Sequence, residues 1–467
     1  MKKILFLGLI LCLSYLFSAF YKNPKAEQTQ PNIIFILVDD MGYTDLGCCG
    51  NPYNETPNID SLAHSGMRFT QAYAASPVCS PSRAAILTGK HPARLKLTNY
   101  LGFTPAQRTD SLSPVLPAEM QQSLPLSEIT LAERLKPLGY RTGMIGKWHL
   151  GFGKEPKPWE QGFDYTRMID KNALDYYNYT IVNEENKTVF ADKGKDYLTD
   201  KLSDYALDFI EKKKTDEPFF LYLAYSAPHV LLVPRGDKLG KYFWKYEKFN
   251  GKFNPNYAAM IESIDDGVGR IMKTLSEKGL LENTIVVFTS DNGAVGLPEL
   301  GPKPTDIEGL RKWKGHVYKG GNRIPAIVFW KGKIQPFTNT QYFINTDYTP
   351  TFLDILGEKA VLTEDGMSLK QTLFSPEKPF ERGALYWHYP HFSNQMGRPK
   401  GAVRQGDWKL IESYEDNSLE LYNLKEDLGE TKNLAQQNKT KTNELHQLFT
   451  HWLTDVQANM PIRKEGK

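Results

Sequence analysis

Ile33-Ile34-Phe35-Ile36-Leu37-Val38 is an unbroken apolar run, opened by Pro31-Asn32 and closed by Asp39-Asp40. A run this short and β-branched, with no polar residue every second position, has to be buried on both faces. That is the pattern of an inner strand in a parallel sheet covered by helices. Thr284-Ile285-Val286-Val287-Phe288-Thr289 has the same texture and ends in Ser290-Asp291-Asn292-Gly293. Residues 218–225, followed by Ser226-Ala227-Pro228-His229, and residues 325–330 read as further buried strands. Helical stretches separate them, at residues 131–135 and at 257–274, where Met260, Ile264, Val268 and Ile271 share one stripe. Strands alternating with helices predict an α/β chain with a large, mostly parallel sheet.

Ligands of open α/β sheets bind at the carboxyl ends of the strands. Adjacent carboxylates there are too costly to leave buried and unpaired. Asp39, Asp40, Asp291 and Asn292 together offer four hard oxygen donors. They suit Ca²⁺ ahead of Mg²⁺, and lack the His and Cys ligands that zinc prefers. Spacing in sequence does not establish that they meet, so their convergence is an expectation about the fold.

Cys79 stands directly before Ser80-Pro81-Ser82-Arg83, and a short apolar run then ends at Gly89. Pro81 suits a first helical position and Gly89 a helix stop. Cys79 is thereby predicted at a helix N-terminus, where free N–H groups and the dipole favour an anion. Arg83, one turn inside, adds a bidentate-capable cation. Of the other cysteines, Cys12 falls in the N-terminal apolar stretch, and Cys48 and Cys49 are adjacent and cannot easily bridge each other. No disulfide framework is present to explain Cys79. Lys147 and His149, two apart on an extended segment, project to one face, and His229 follows a strand as an acid–base candidate. Each of these has a plain structural alternative: a core thiol, a solvated acidic turn, a surface K-x-H, a packed histidine.

The chain has 467 residues, long for one core. Residues 30–365 read as a large α/β domain and 366–467 as a smaller α+β one. The latter has antiparallel strands at 402–404, 408–411 and 419–422 and a last amphipathic helix bearing Leu445, Leu448, Phe449, Trp452 and Val456. Residues 1–20 read as a secretory leader: Lys2-Lys3, an apolar run from Ile4 to Phe17, then Ser18-Ala19. The run is short for a bilayer span, and Leu11 before Cys12 is too large for a good lipobox. The expected product is exported, periplasmic or secreted, without stable membrane insertion or lipid anchor. The formal charge of +3 includes Lys2 and Lys3, so the mature chain is near neutral, which argues against a nucleic-acid partner.

Taken in order, D-D-x-G at Asp39, C-S-P-S-R at Cys79, G-K-W-H-L-G at Gly146, A-P-H at Ala227, S-D-N-G at Ser290, Lys314, D-x-x-P-T at Asp347 and E-L-Y-N-L around Tyr422 form a set. The set resembles the type I, formylglycine-dependent sulfatases of the alkaline phosphatase superfamily, of the bacterial polysaccharide-sulfatase type. The resemblance covers essentially the whole chain after residue 30, and its cysteine motif is the most specific part. It implies a large mixed, mostly parallel sheet sandwiched by helices, with a smaller C-terminal α+β domain built on an antiparallel sheet. It also implies that Cys79 is oxidised to formylglycine (3-oxoalanine) by a formylglycine-generating enzyme or an anaerobic maturase. One Ca²⁺ would then lie on Asp39, Asp40, Asp291, Asn292 and the matured Cys79. Arg83 would hold the formylglycine, Lys147 and Lys314 would bind sulfate oxygens, His149 would support the formylglycine hydroxyl, and His229 would protonate the leaving alcohol. Two departures from the family pattern, Lys319 before Gly320-Gly321 and Lys312, add positive charge near Lys314.

A sulfate monoester needs its oxygens neutralised, a strong nucleophile, and a proton for the departing alkoxide. A hydrated aldehyde beside a divalent ion meets the second need and, by losing its other hydroxyl proton, expels sulfate; a thiol cannot take that second step. The expected substrate is a sulfated glycan, an algal polysaccharide such as ulvan or carrageenan, or a glycosaminoglycan fragment. Aromatics taken as surface residues (Tyr100, Trp159, Tyr165, Tyr176, Tyr177) and His388-Tyr389-Pro390-His391 suit a stacked sugar ring. Arg94, Asn99, His388 and His391 are the further pocket candidates, with ordinary domain packing as their alternative. The rival functions are a phosphonate or phosphodiester hydrolase of the same superfamily and a non-catalytic binder of sulfated glycans.

Overall fold

The computed structural model describes residues 30–102, 110–151, 155–170, 175–214, 217–296, 309–358 and 365–464; the expected leader lies outside them. In chain order the strands are β1 (Asn32–Val38), β2 (Met67–Tyr73), β3 (Val115–Leu116), β4 (Arg141–Gly146), β5 (Tyr165–Ile169), β6 (Thr180–Val182), β7 (Thr188–Ala191), β8 (Phe219–Ala224), β9 (Thr284–Ser290), β10 (Arg323–Phe329), β11 (Phe337–Ile344), β12 (Leu385–Tyr389), β13 (Lys400–Gln405), β14 (Trp408–Ser413), β15 (Leu419–Asn423) and β16 (Ile462–Arg463). Ten of them form one sheet in the order β11-β2-β10-β9-β1-β8-β4-β5-β6-β7, and β12-β13-β14-β15 form a second.

The apolar runs are the centre of the large sheet. β9, β1, β8, β4 and β5 are mutually parallel, and every residue of β1, β8 and β9 is buried. Their side chains alternate between two cores. Ile33, Phe35 and Leu37 face one with the Cys79–Thr88 and Tyr348–Ile355 helices, while Ile34, Ile36 and Val38 face the other with the Leu198–Glu211 and Pro255–Glu277 helices. Each such side chain contributes roughly 1.5–3 kcal/mol on burial. The resulting sandwich aligns the carboxyl ends of β1, β4, β8 and β9 along one edge. β10 runs antiparallel to β9, so its amino end and the loop before it reach the same edge.

The predicted Tyr257 helix runs longer, over Pro255–Glu277, capped by Asn254. Its Asp265 is buried and caps another helix, accepting from the N–H groups of Asn58 (3.2 Å) and Ile59 (2.8 Å) at the start of Pro57–Ser65. The small sheet is wholly antiparallel and packs the last helix, Lys439–Asp455, through Leu445, Phe449 and Trp452. Its first strand, β12, contains His388, a sugar-pocket candidate in the sequence.

Candidate active site

The two acid-bearing strand ends meet. β1 and β9 pair in register down to Val38 opposite Ser290, so Asp40 and Asp291, 251 positions apart, touch through the Asp40 N–H and Asp291 Oδ1 at 3.2 Å. Asp40 takes a left-handed φ of 68°, rare for a residue with a side chain, and three bonds hold it there. Besides Asp291, the Tyr257 hydroxyl donates to its carbonyl (3.1 Å) and the next N–H, of Met41, to Ser290 Oγ (3.0 Å). Asn292 donates from Nδ2 to Asp40 Oδ1 (2.7 Å), which leaves its buried Oδ1 without a hydrogen-bond partner.

The cysteine helix starts at Cys79 itself and runs to Thr88, so Pro81 is its third residue rather than its first. The first-turn N–H groups have no partner inside a helix, and a proline there costs nothing. Cys79 Sγ lies 3.3 Å from Asp39 Oδ1 and 4.0 Å from Asp40 Oδ1. Burial, reinforced by the Asp39 charge, pushes this thiol well above its ordinary range, so as a thiol it is protonated and a poor nucleophile. Arg83, fully buried, reaches Asp291 Oδ2 with Nε (2.9 Å) and Nη2 (2.7 Å) and the Lys147 carbonyl with Nη1 (2.8 Å).

Lys147 is carried by the end of β4. Gly146 there lies so close to β8 that a Cβ would stand 1.9 Å from the Ala224 carbonyl oxygen. The Lys147 ammonium pairs with Asp39. His149 turns back with φ 60° instead of continuing an extended segment, and its Nε2 lies 3.2 Å from the Leu101 carbonyl. Lys314 Nζ lies 2.7 Å from Asp40 Oδ1, and His229 Nε2 3.5 Å from Asp40 Oδ2. Burial works to raise Asp39, but Lys147, His229, Arg83 and Lys314 outweigh it and hold that carboxyl well below its usual range. Burial and the Asp39 charge push Asp291 up to about 7. Burial, then the Lys314 charge, lowers His229 to about 4.

Asp39, Asp40, Cys79 and His229 each present a ligand atom within 4.8 Å of one another. With the unpartnered Asn292 oxygen beside Asp40, this donor set could hold a divalent cation, its oxygens suiting a hard ion and its imidazole a borderline one. The sulfur is the one soft atom in it.

Other expected pocket residues are placed differently. Arg94 is spent on a bidentate pair with Asp365 (3.0 Å each) and on Asp455 (3.1 Å). His388 is buried with Nδ1 at 2.7 Å from the Tyr414 hydroxyl and Nε2 at 3.0 Å from the Asn459 carbonyl. Both ring nitrogens thus serve the fold. His391 Nε2 lies 2.7 Å from Thr98 Oγ1. Asn99 accepts from the Tyr389 hydroxyl (3.0 Å), two residues before Leu101, whose N–H donates to Ser80 Oγ (3.0 Å) in the cysteine helix. The aromatics taken as surface residues are buried or half-buried. Tyr176 is a core residue whose hydroxyl donates to the Ser226 and His229 carbonyls (2.9 Å each), bracing the His229 turn. The sequence took Tyr176 for a sugar-stacking surface aromatic and Tyr257 only for the start of a helix, because a hydroxyl acting on a distant carbonyl leaves no local pattern. Of the two departures, Lys312 takes a left-handed φ of 61°, where a glycine would be unstrained, and Lys319 is buried rather than in a pocket wall.

Residues 31–358 match the profile of the sulfatase family, and residues 312–459 that of the C-terminal region of N-sulphoglucosamine sulphohydrolase. A sulfatase of Formosa agariphila is 31% identical, over 94% of this chain and 90% of that protein. The solved structure of Ps i-CgsB in complex with k-i-k-neocarrahexaose superposes with a TM-score of 0.77 at 27% identity, covering 93% of this chain and 95% of that one. That of BT4656 in complex with its substrate D-glucosamine-2-N,6-O-disulfate gives 0.70 at 25% identity, covering 92% and 98%.

Proposed function

Since the chain belongs to the sulfatase family, among the type I sulfatases of the alkaline-phosphatase-like superfamily, and is a sulfuric ester hydrolase, we propose that it is an exported glycan sulfatase whose Cys79 is matured to formylglycine beside one Ca²⁺. The observation that carries this reading is the approach of Cys79 Sγ to Asp39 Oδ1, 3.3 Å, at the first position of a fully buried helix. A sulfur there is out of place among hard oxygens; an oxygen-bearing side chain would not be.

Asp39, Asp40, Asp291 and the free Asn292 oxygen would hold the cation, with the matured residue 79 as a further ligand. Bound there, Ca²⁺ would supply positive charge against the sulfate oxygens and acidify a neighbouring hydroxyl. The chemistry that the oxidised side chain supplies is an oxygen nucleophile for sulfur that is regenerated without water attacking sulfur. Arg83, between Asp291 and the Lys147 carbonyl, locks the first turn of the helix beneath residue 79. Lys147 and Lys314 flank the carboxylates from two sides and would neutralise the sulfate oxygens. His149 would orient the hydroxyl of residue 79. The side chains of Lys147 and Lys314 are only 6% and 7% exposed, whereas that of His229 is 18% exposed. His229, the most open of the three, would protonate the leaving alcohol, which requires the negative charge of the bound sulfate ester to raise it from about 4.

A sulfated sugar as the ester accords with what the carrageenan- and glucosamine-bound relatives hold. Cys79 is 1% exposed, so the maturase would have to act on this segment before the chain folds. Among the described residues no helix is long and apolar enough to cross a membrane, and export rests on the N-terminal leader. The test is the mass of the Cys79 peptide from protein coexpressed with a maturase, followed by sulfate release from a panel of defined sulfated oligosaccharides. Aryl sulfate, phosphate and phosphonate esters are run alongside. Faster turnover of the phosphonate, or a plain cysteine in active protein, would sink the reading.

A further inference from the structure

Lys314 lies on the loop that leads from residue 309 into the short helix Lys319–Asn322, a segment that carries four cations, Arg311, Lys312, Lys314 and Lys319, within nine positions. Like charges this dense repel one another and would swing a catalytic ammonium off its mark. At its centre the loop is tied to the segments after β9 and before the cysteine helix, the Lys314 N–H donating to the Ala294 carbonyl and the Gly315 N–H to the Pro77 carbonyl, both 2.9 Å, while the Lys314 ammonium pairs with Asp40. Its two flanks are held by carboxylates from the small sheet and the turn after it. Glu420, on β15, accepts from Arg311 Nη1 (3.0 Å) and from the Tyr318 hydroxyl (2.7 Å). Glu430 is fully buried. It accepts from the Lys319 N–H (2.8 Å) and from Lys409 Nζ (2.6 Å), which also donates to the Val317 carbonyl (2.8 Å). The loop has little slack of its own, since a Cβ on Gly320 would stand 1.8 Å from the Lys312 carbonyl oxygen. A displacement of either flank is passed on to Lys314 between them.

We propose that Glu420 and Glu430 are positioning residues for Lys314, so that the small sheet sets where the sulfate-binding ammonium stands. This rests on the role given to Lys314 above. The small sheet is then part of the sulfate site without touching sulfate, and the Arg311 charge on the same loop is paired from behind rather than presented to substrate.

The experiment is a double-mutant cycle in the matured, Ca²⁺-supplied enzyme. Glu420→Gln and Lys314→Ala are made singly and together, and kcat and KM are measured for 4-methylumbelliferyl sulfate beside thermal melting. Glu420→Gln is expected to lower kcat/KM about 10-fold with a nearly unchanged melting temperature, and to have less than about a 2-fold effect once Lys314 is gone. If Lys314→Ala is crippled but Glu420→Gln costs the same factor in both backgrounds, the positioning role is overturned and the role of Lys314 stands. If Lys314→Ala matches the parent, the role of Lys314 fails and the positioning role with it. Should Glu420→Gln not fold, Tyr318→Phe removes one of the same hydrogen bonds without touching charge, and it has to show the same dependence on Lys314.

Discussion

Two regions of this molecule bury charge, and they do so to opposite ends. At the shared end of β1 and β9, Asp39, Asp40 and Asp291 crowd against a thiol and an imidazole, Asp291 is pushed up to about 7, and the Asn292 oxygen is left over. At the seam of the small sheet, Lys409 and Glu430 are just as deeply buried but answer one another at 2.6 Å, and His388 has a partner on each ring nitrogen. The contrast teaches that buried charge alone does not mark a site. Crowded carboxylates with an unpartnered amide oxygen beside them do, because a low-dielectric interior tolerates such a cluster only when something else neutralises it.

The sharpest way to break this comparison is at Cys79. Cys79→Ala should lower sulfate-ester turnover by more than about 10³-fold while leaving the melting temperature nearly unmoved; a variant that still turns over would place the chemistry elsewhere. Next in size is removal of the cation. Chelation with EDTA should cost on the order of 10²-fold in rate, and returned Ca²⁺ should restore it and raise the melting temperature in a concentration-dependent way. A melting temperature indifferent to Ca²⁺ would make this cluster a structural accident. His229→Ala should cost about 10²-fold in kcat on a sugar sulfate and distinctly less on an aryl sulfate, whose better leaving group needs less protonation; equal losses on both would remove it as the acid.

The smallest effect belongs to the seam. His388→Gln should leave kcat/KM within about 3-fold and cost about 1–2 kcal/mol of stability near neutral pH, from its lost hydrogen bonds. Burial, with lesser pressure from His91 and Lys96, lowers His388 to about 3 from an ordinary 6.5. The unfolded chain therefore takes up a proton that the folded chain refuses. The stabilisation is complete above pH 6.5 and is lost as pH falls toward 3, so stability from urea titrations should drop on acidification. Part of that slope should vanish in His388→Gln; an unchanged slope would show that His388 is not buried neutral.

Much of this contrast was open to reading before any fold was known. The buried strands, the acids at their ends and the cysteine at a helix start are local statements. A six-residue apolar run has few other fates than an inner strand, and a carboxylate following it lands at the ligand edge whatever the rest of the chain does. The helix from Tyr257 and the antiparallel strands after residue 400 were legible for the same reason, a period of 3.6 or of 2 in their apolar positions. The helix Gly236–Lys248 was not, since its two buried residues are Lys238, which reaches Glu262 and Asp266, and Tyr242. Nor was the fate of the tyrosines near residue 176, which composition alone placed on the surface.

What the amino-acid order determined, then, was an inventory and an edge: which donors exist, and which of them a parallel sheet must deliver to one rim. Only the packed chain decided among look-alikes. His229, after β8, and His388, in β12, were both site candidates in the sequence, yet one faces Asp40 across a gap and the other is closed between Tyr414 and Asn459. Arg83 and Arg94 are eleven positions apart by number, and one locks the nucleophile helix while the other ties Asp365 and Asp455. The reason is physical. A titratable group is made structural or reactive by whether its partners are complete, and those partners come from segments far away in the chain.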